Sequence, residues 1–196
     1  RLGQYTLLEK TGEGGMGIVF KAQHAMLRRP TAIKLLPPER AGEHNLTRFE
    51  REVQLTSLLT HPNTVSIYDY GRTSDGILYY AMEYLDGIDL EGLVELDGPQ
   101  KSGRVVHLVR QIAGALEEAH SVGLIHRDVK PANVLLTSRG GSADIVKVVD
   151  FGLVKSVDDA TDTAATGTNQ ILGTPLYMSP ETIARPSEVG PPSDLY

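Results

Sequence analysis

The apolar residues of the first 36 positions come in short runs broken by glycine and proline, the pattern of strands and tight turns. Tyr5-Thr6-Leu7-Leu8 leads into a glycine cluster from Gly12 to Gly17, and Ile18-Val19-Phe20 resumes the extended pattern. After the turn-like Arg28-Arg29-Pro30, the run from Thr31 to Leu36 predicts another strand. From Asn45 to Leu59 the period lengthens. Leu46, Phe49 and Val53 fall on one stripe, with Glu50, Arg51 and Glu52 among them, and predict a helix. His61-Pro62-Asn63 ends it, because the residue before a proline is pushed out of the helical region. Val65–Tyr70 and Ile77–Met82 predict a hairpin across the Asp75-Gly76 turn.

Beyond residue 85 the pattern turns helical. Val105, Val109, Ile112, Leu116 and Ala119 recur at spacings of three and four, predicting a core helix over Ser102–Ser121. Two short strand-like runs follow, Val134-Leu135-Leu136 and Ile145–Val149. Thr163 to Pro180 carries no charged residue and is rich in Thr, Gly, Asn and Pro, which reads as a long functional or disordered loop.

Composition narrows the function classes. The 196 residues are 40% apolar and 22% charged, ordinary globular values, sufficient for one substantial core or two small lobes. Cysteine is absent, which excludes disulfides, thiolate nucleophiles and Cys-ligated metals. No run approaches the ~18 apolar residues of a membrane helix, and the polar start does not read as a signal peptide. A soluble, cytoplasmic protein is expected. The net charge of −6 is uneven: residues 1–84 carry 10 basic and 9 acidic groups, residues 85–196 carry 9 and 16. Such a balance argues against a nucleic-acid partner, and its break near residue 85 suggests two lobes.

Four pieces carry chemistry. Gly12-Glu13-Gly14-Gly15-Met16-Gly17 has G-x-G-x-x-G spacing, which lets backbone N–H groups approach phosphates; a plain glycine-rich hairpin turn would look the same. A dinucleotide-binding fold would need a helix next, whereas Ile18-Val19-Phe20 continues as a strand, so a flap between antiparallel strands fits better. Lys34 sits inside an apolar strand, either at its solvent side or as a cation aimed at phosphates with Glu50 or Glu52 as its carboxylate partner. His126-Arg127-Asp128-Val129-Lys130-Pro131-Ala132-Asn133 places a carboxylate, a lysine and an amide within six residues, suited to a phosphate site with a base. Asp150-Phe151-Gly152 puts a carboxylate at a strand end, a good place for a Mg²⁺ ligand.

In order, these pieces with Ser179-Pro180-Glu181 resemble the protein-kinase catalytic domain, over Tyr5 to Tyr196. The resemblance implies an α+β bilobal fold: a small antiparallel β-sheet N-lobe with one helix (1–84) and a mainly helical C-lobe (85–196), here incomplete. It implies ATP and Mg²⁺ as cofactors. Gly12, Glu13, Gly14, Gly15 and Gly17 would cover the phosphates, and Lys34 would contact them, paired with Glu52 because Arg48-Phe49-Glu50-Arg51-Glu52 resembles the family's R-F-x-x-E pattern. Asp128 would accept the substrate hydroxyl proton, Lys130 would neutralise the transferring phosphoryl group, and Asn133 and Asp150 would hold the metal ions. Val19 and Ala32 on one side and Leu135 on the other would enclose the adenine, though core packing alone would use the same residue types. Met82 would stand at the back, the backbone of Glu83 and Leu85 would read the adenine edge, and Asp89 would bind the ribose.

Lys130 and Gly173-Thr174-Pro175 resemble the Ser/Thr kinases, in which the threonine supports the catalytic aspartate. The phrasing around Met16, Asp128–Asn133 and Tyr177–Glu181 is similar to that of bacterial members. The resemblance implies protein substrates, and self-association for autophosphorylation. Arg127 would pair with a phosphate on one of Thr161, Thr163, Thr166 or Thr168, of which Thr166 and Thr168 resemble the autophosphorylated pair. A merely flexible threonine-rich loop is the plain alternative.

Pro192–Tyr196 resembles the start of the C-lobe's central helix, and Asp194 the aspartate that anchors the catalytic loop. The expectation is a piece of a kinase domain that exposes apolar surface in its lower lobe and is marginally stable. A non-catalytic nucleotide-binding or interaction module is the competing reading. The intact Lys34, Asp128, Asn133 and Asp150 lend it no support. The acidic residues Asp86, Asp89, Glu91, Glu95 and Asp97 would favour basic substrates, or simply form a solvated helix face.

Overall fold

The alternating, β-branched runs near the start form strands: β1 (Tyr5–Gly14), β2 (Gly17–His24) and β3 (Pro30–Leu35). Helix α1 (Glu43–Ser57) follows, then β4 (Ile67–Arg72) and β5 (Leu78–Glu83). The structure, a computed structural model, describes residues 1–14, 17–36, 43–151, 175–185 and 188–196. The chain divides into two units, Arg1–Leu58 with Val65–Leu85 and Leu59–Thr64 with Asp86–Tyr196.

In the first unit the strands make one antiparallel sheet in the order β1-β2-β3-β5-β4. One face buries Tyr5, Ala22, Ile33 and Ala81 together. Register assigns Lys34 and its cross-strand partner Tyr80 to the other face. Phe49 of α1 covers that face, its ring 6.4 Å from Tyr80 and 6.3 Å from Tyr70. The helix carrying Glu52 therefore lies against the sheet face carrying Lys34. β1 runs further than its apolar residues predict, through Gly12 and Gly14, with irregularities at Leu7/Glu9 and Lys10/Gly12. Gly17 has φ +115, and a Cβ there would lie 2.1 Å from the carbonyl oxygen of Leu35, so no other residue fits without moving β3.

The second unit holds β6 (Gly87–Asp89), α2 (Leu90–Asp97), α3 (Ser102–Ser121), β7 (Val134–Arg139), β8 (Ser142–Val148) and the short α4 (Pro180–Ala184). Its sheet runs β6-β7-β8, and α3 packs on β8. β6, α2 and α4 lie outside the elements read from apolar pattern, being only 3, 8 and 5 residues long. The helix Ser102–Ser121 has the predicted bounds, but its buried line corrects the expected stripe. Leu108, Ala115, Leu116 and Ala119 are buried, whereas Val105 and Val109 are exposed. Apolar residues occupy more than one side of α3, and contact with β8 selects among them. Exposed apolar side chains expected in this unit are present, among them Val106, Ile183, Leu195 and Tyr196.

Candidate active site

Between α3 and β7 the chain turns sharply, and a buried carboxylate fixes the turn. Asp194 accepts the backbone N–H of His126 at 2.8 Å and of Arg127 at 2.7 Å, and the Nε2 of His120 at 2.7 Å. Arg127 takes φ 64 there, a left-handed backbone that costs a side-chain-bearing residue about 1–2 kcal/mol. The Asp194 bonds offset that cost. His126 is fully buried beside Phe151, ring centroids 4.8 Å apart. Its Nδ1 accepts the Asp128 N–H at 3.2 Å, so its Nε2 carries the proton and donates to the Val149 carbonyl at 2.9 Å. Burial pushes its pKa down and keeps the ring neutral.

This frame presents Asp128. The Nζ of Lys130 lies 2.9 Å from its Oδ2, and the Nδ2 of Asn133 donates to the same oxygen at 3.0 Å and to the Asp128 carbonyl at 2.8 Å. Pro131 opens a 3₁₀ turn that brings Asn133 back, with the Asn133 N–H on the Lys130 carbonyl at 2.9 Å. The Val149 N–H in turn donates to the Asn133 carbonyl at 3.0 Å, which places Asp150, at φ 61, next to the loop. The sequence names all four of these residues as candidates, three by their closeness in the chain and Asp150 by its place at a strand end.

The Asn133 amide nitrogen donates to Asp128, and its amide oxygen is the acceptor atom of the same buried group. An amide oxygen with the Asp150 carboxylate is hard-donor chemistry that suits Mg²⁺ shared with phosphates, for which one or two protein oxygens suffice. Among the described residues no group of three or more His, Cys, Asp or Glu could hold a metal by itself.

The expected nucleotide residues fall into two groups. In the first unit Val19 pairs with Lys34, and Ala32 with Met82, so these four side chains share one sheet face. Gly12 pairs with Val19 at the edge of the same hairpin. Lys34 is buried within β3. The Glu13 carboxylate, exposed, meets the Nζ of Lys10 at 2.5 Å. The Glu83 N–H goes to the Ser66 carbonyl at 2.9 Å, and its side chain accepts the Ser66 N–H at 2.9 Å. In the second unit Asp89 and Leu135 are cross-strand partners. Asp89 also caps α2, its Oδ1 accepting the Gly92 N–H at 2.7 Å. Gly15, Gly152, Thr161, Thr163, Thr166, Thr168 and Thr174 lie outside the described residues.

A cavity of ≈ 250 Å³ opens beside the loop, lined by Arg127, Lys130, Pro131, Tyr177, Ser179 and Thr182 among others. It is smaller than the roughly 300 Å³ at which small-molecule pockets begin, and has room for a side chain or two.

The model of the protein kinase domain family matches residues 5–196. This chain belongs to the protein kinase family. It is similar to the serine/threonine-protein kinase pkn3 of Myxococcus xanthus, 43% identical over 98% of this chain and 36% of that protein. It is also similar to PrkC of Bacillus subtilis, 38% identical over 99% of this chain and 29% of that protein. The chain thus spans about a third of the length of the curated relatives it matches. The crystal structure of the Mycobacterium tuberculosis PknI kinase domain superposes with a TM-score of 0.76 at 31% identity, covering 99% of this chain and 70% of that one. The α+β arrangement is accordingly that of a kinase domain, incomplete relative to that structure. No helix among the described residues is long and apolar enough to cross a membrane.

His120 is the site residue that pattern reading missed. It sits in the last turn of α3, and only folding brings it to Asp194, 74 positions away.

Proposed function

We propose that this chain is the catalytic part of a serine/threonine protein kinase, moving the γ-phosphoryl group of ATP to a serine or threonine hydroxyl of a protein. The observation that carries the reading is the convergence of Lys130 and Asn133 on one oxygen of Asp128, at 2.9 and 3.0 Å. A carboxylate oriented in this way takes the proton of the attacking hydroxyl as its oxygen bonds to the γ-phosphorus and ADP leaves. Lys130 offsets the charge on the phosphoryl oxygens during transfer. The transition state is loose, with its charge spread over those oxygens, so positioning and electrostatics carry most of the acceleration.

Lys34 would bind the α- and β-phosphates under the hairpin of Gly12, Gly14 and Gly17, oriented by Glu52. Magnesium bound with the nucleotide would supply further positive charge, held by Asn133 and Asp150. Val19, Ala32, Met82 and Leu135 would contact the adenine and Asp89 the ribose. With the Glu83 N–H already on Ser66, the donor toward the adenine edge would be Leu85. Thr174 would support Asp128, and phosphate on Thr166 or Thr168, placed there by a second copy, would pair with Arg127. On this reading the domain would work on the cytoplasmic side, where ATP is supplied.

Transfer from Mg-ATP to a synthetic peptide mixture, read by phosphoamino-acid analysis, tests this. Phosphoserine and phosphothreonine are expected, and Lys34→Met or Asp128→Asn should each cost about 100-fold or more. Phosphotyrosine as the product, or transfer that survives Asp128→Asn, would contradict it.

A further inference from the structure

The two strands of the β7–β8 hairpin are out of step by one residue. Gly140 and Gly141, at φ +60 and +81, make the turn, and Arg139 faces Ser142 across it. Further along, Thr137 faces Ile145 and not Asp144. Ser138 on β7 is therefore opposed by both Ala143 and Asp144 on β8, which makes a β-bulge. Asp144 carries it with a left-handed backbone at φ 57, a conformation that a residue with a side chain resists. The extra residue decides which way the rest of β8 points. Side chains alternate along a strand, so losing the bulge would turn the fully buried Val146 and Val148 to the opposite face. Asp150 comes two residues after the strand and would be displaced with them.

The bulge is held from α3. Arg104 donates through Nε and Nη2 to the two carboxylate oxygens of Asp144 at 2.9 and 2.7 Å, and through Nη1 to the Gln100 Oε1 at 2.6 Å. The Gln111 Nε2 donates to the Asp144 carbonyl at 2.8 Å, and its Oε1 accepts the Val146 N–H at 3.1 Å. β8 is the last strand of its sheet, so the Gln111 amide fills its outer edge as the peptide group of a further strand would. All of these residues lie in the second unit.

We propose that Arg104 is a positioning residue for Asp150: by clamping the bulge at Asp144 it sets the register in which β8 delivers the metal-holding carboxylate. This inference rests on the kinase reading, in which Asp150 holds magnesium. A guanidinium suits the task, because two parallel bonds to one carboxylate fix direction as well as distance. The same bonds hold the Asp144 carboxyl below its ordinary range, so the clamp stays charged under mildly acidic conditions.

The test uses glycine, which adopts a left-handed backbone freely and needs no clamp. The unmutated chain is compared with Arg104→Met, alone and combined with Asp144→Gly or with Asp144→Ala. Two quantities are measured, hydrogen exchange over residues 142–150 and transfer to a synthetic serine peptide as the Mg²⁺ concentration is varied. In Arg104→Met we expect faster exchange over this segment and a Mg²⁺ requirement raised about tenfold, as loss of a group behind a metal ligand does. Adding Asp144→Gly should restore both. Adding Asp144→Ala should not, since alanine also removes the unpaired carboxylate but still resists the left-handed turn. A chain that is merely destabilised would lose kcat with its Mg²⁺ requirement unmoved, and that result would overturn the proposal. Equal rescue by glycine and alanine, or rescue by neither, would overturn it as well. Arg104→Lys, which keeps the charge without the two parallel bonds, takes the place of Arg104→Met if that variant fails to fold, with the same outcomes expected at smaller size. If the unmutated chain transfers no phosphate, the kinase reading fails on its own. The exchange of residues 142–150 still decides the clamp, and no change there overturns it.

Discussion

Asp194 does at the level of one residue what a whole element would otherwise do. A single buried carboxylate takes two consecutive backbone N–H groups and so holds a left-handed turn under the Asp128 loop. Asp194→Ala removes the acceptor from both, and we expect a loss of about 2–5 kcal/mol in denaturant unfolding. Asp194→Asn keeps one oxygen and should lose less. Equal stability of Asp194→Ala and the unmutated chain would refute this role. Asp128, Lys130 and Asn133 were legible as candidates because a carboxylate, a lysine and an amide within six residues suit a phosphate site, and the kinase resemblance is what gives each a role. His120 was not, since a histidine in the last turn of an amphipathic helix has an ordinary explanation until Asp194 arrives from 74 residues away.

Among the elements, strand register does the gathering. Val19, Ala32, Lys34 and Met82 come from three strands, and antiparallel pairing sets all four on one face. That register depends on the β2 start, where Gly17 touches the Leu35 carbonyl. Gly17→Val should destabilise the first unit by about 1–3 kcal/mol, from the positive φ alone, and weaken ATP binding measured by calorimetry. Unchanged melting and binding would show that β3 yields easily. Strands and long helices were readable here because their periodicity repeats enough times to be seen. β6, at three residues, and α2, capped by an Asp89 that the kinase resemblance assigns to the ribose, were too short or too ambiguous. For α3 the bounds were legible and the buried face was not, because Val105, Val106, Leu108 and Val109 offer several apolar lines, and contact with β8 chooses one.

Across the whole molecule, the shifted carboxylates and one buried histidine pull in the same direction. The Arg104 guanidinium holds the Asp144 carboxyl low at 2.7 and 2.9 Å, Ser193 does the same for Glu181, and hydrogen bonds from Thr60 and His61 hold Glu118 low against its burial. Each contributes stability that is present above its unfolded pKa and lost as pH falls through the folded one. The neutral, buried His126 adds a term that begins to fail as pH drops below its ordinary value of 6.5. The melting temperature should therefore decline from about pH 6.5 downward and more steeply below about pH 4.5. A flat profile between about pH 7 and pH 5 would contradict the buried neutral histidine. The division into two units follows the charge break near residue 85 except at Leu59–Thr64, which no composition shift marks and which hydrogen bonds to α3 and β8 explain. The most direct test of the central claim is the intact mass of the folded chain after incubation with Mg-ATP, beside Asp128→Asn. The account predicts added phosphate on the unmutated chain and none on the variant. Equal phosphate on both, or none on either with both folded and ATP bound, would contradict it.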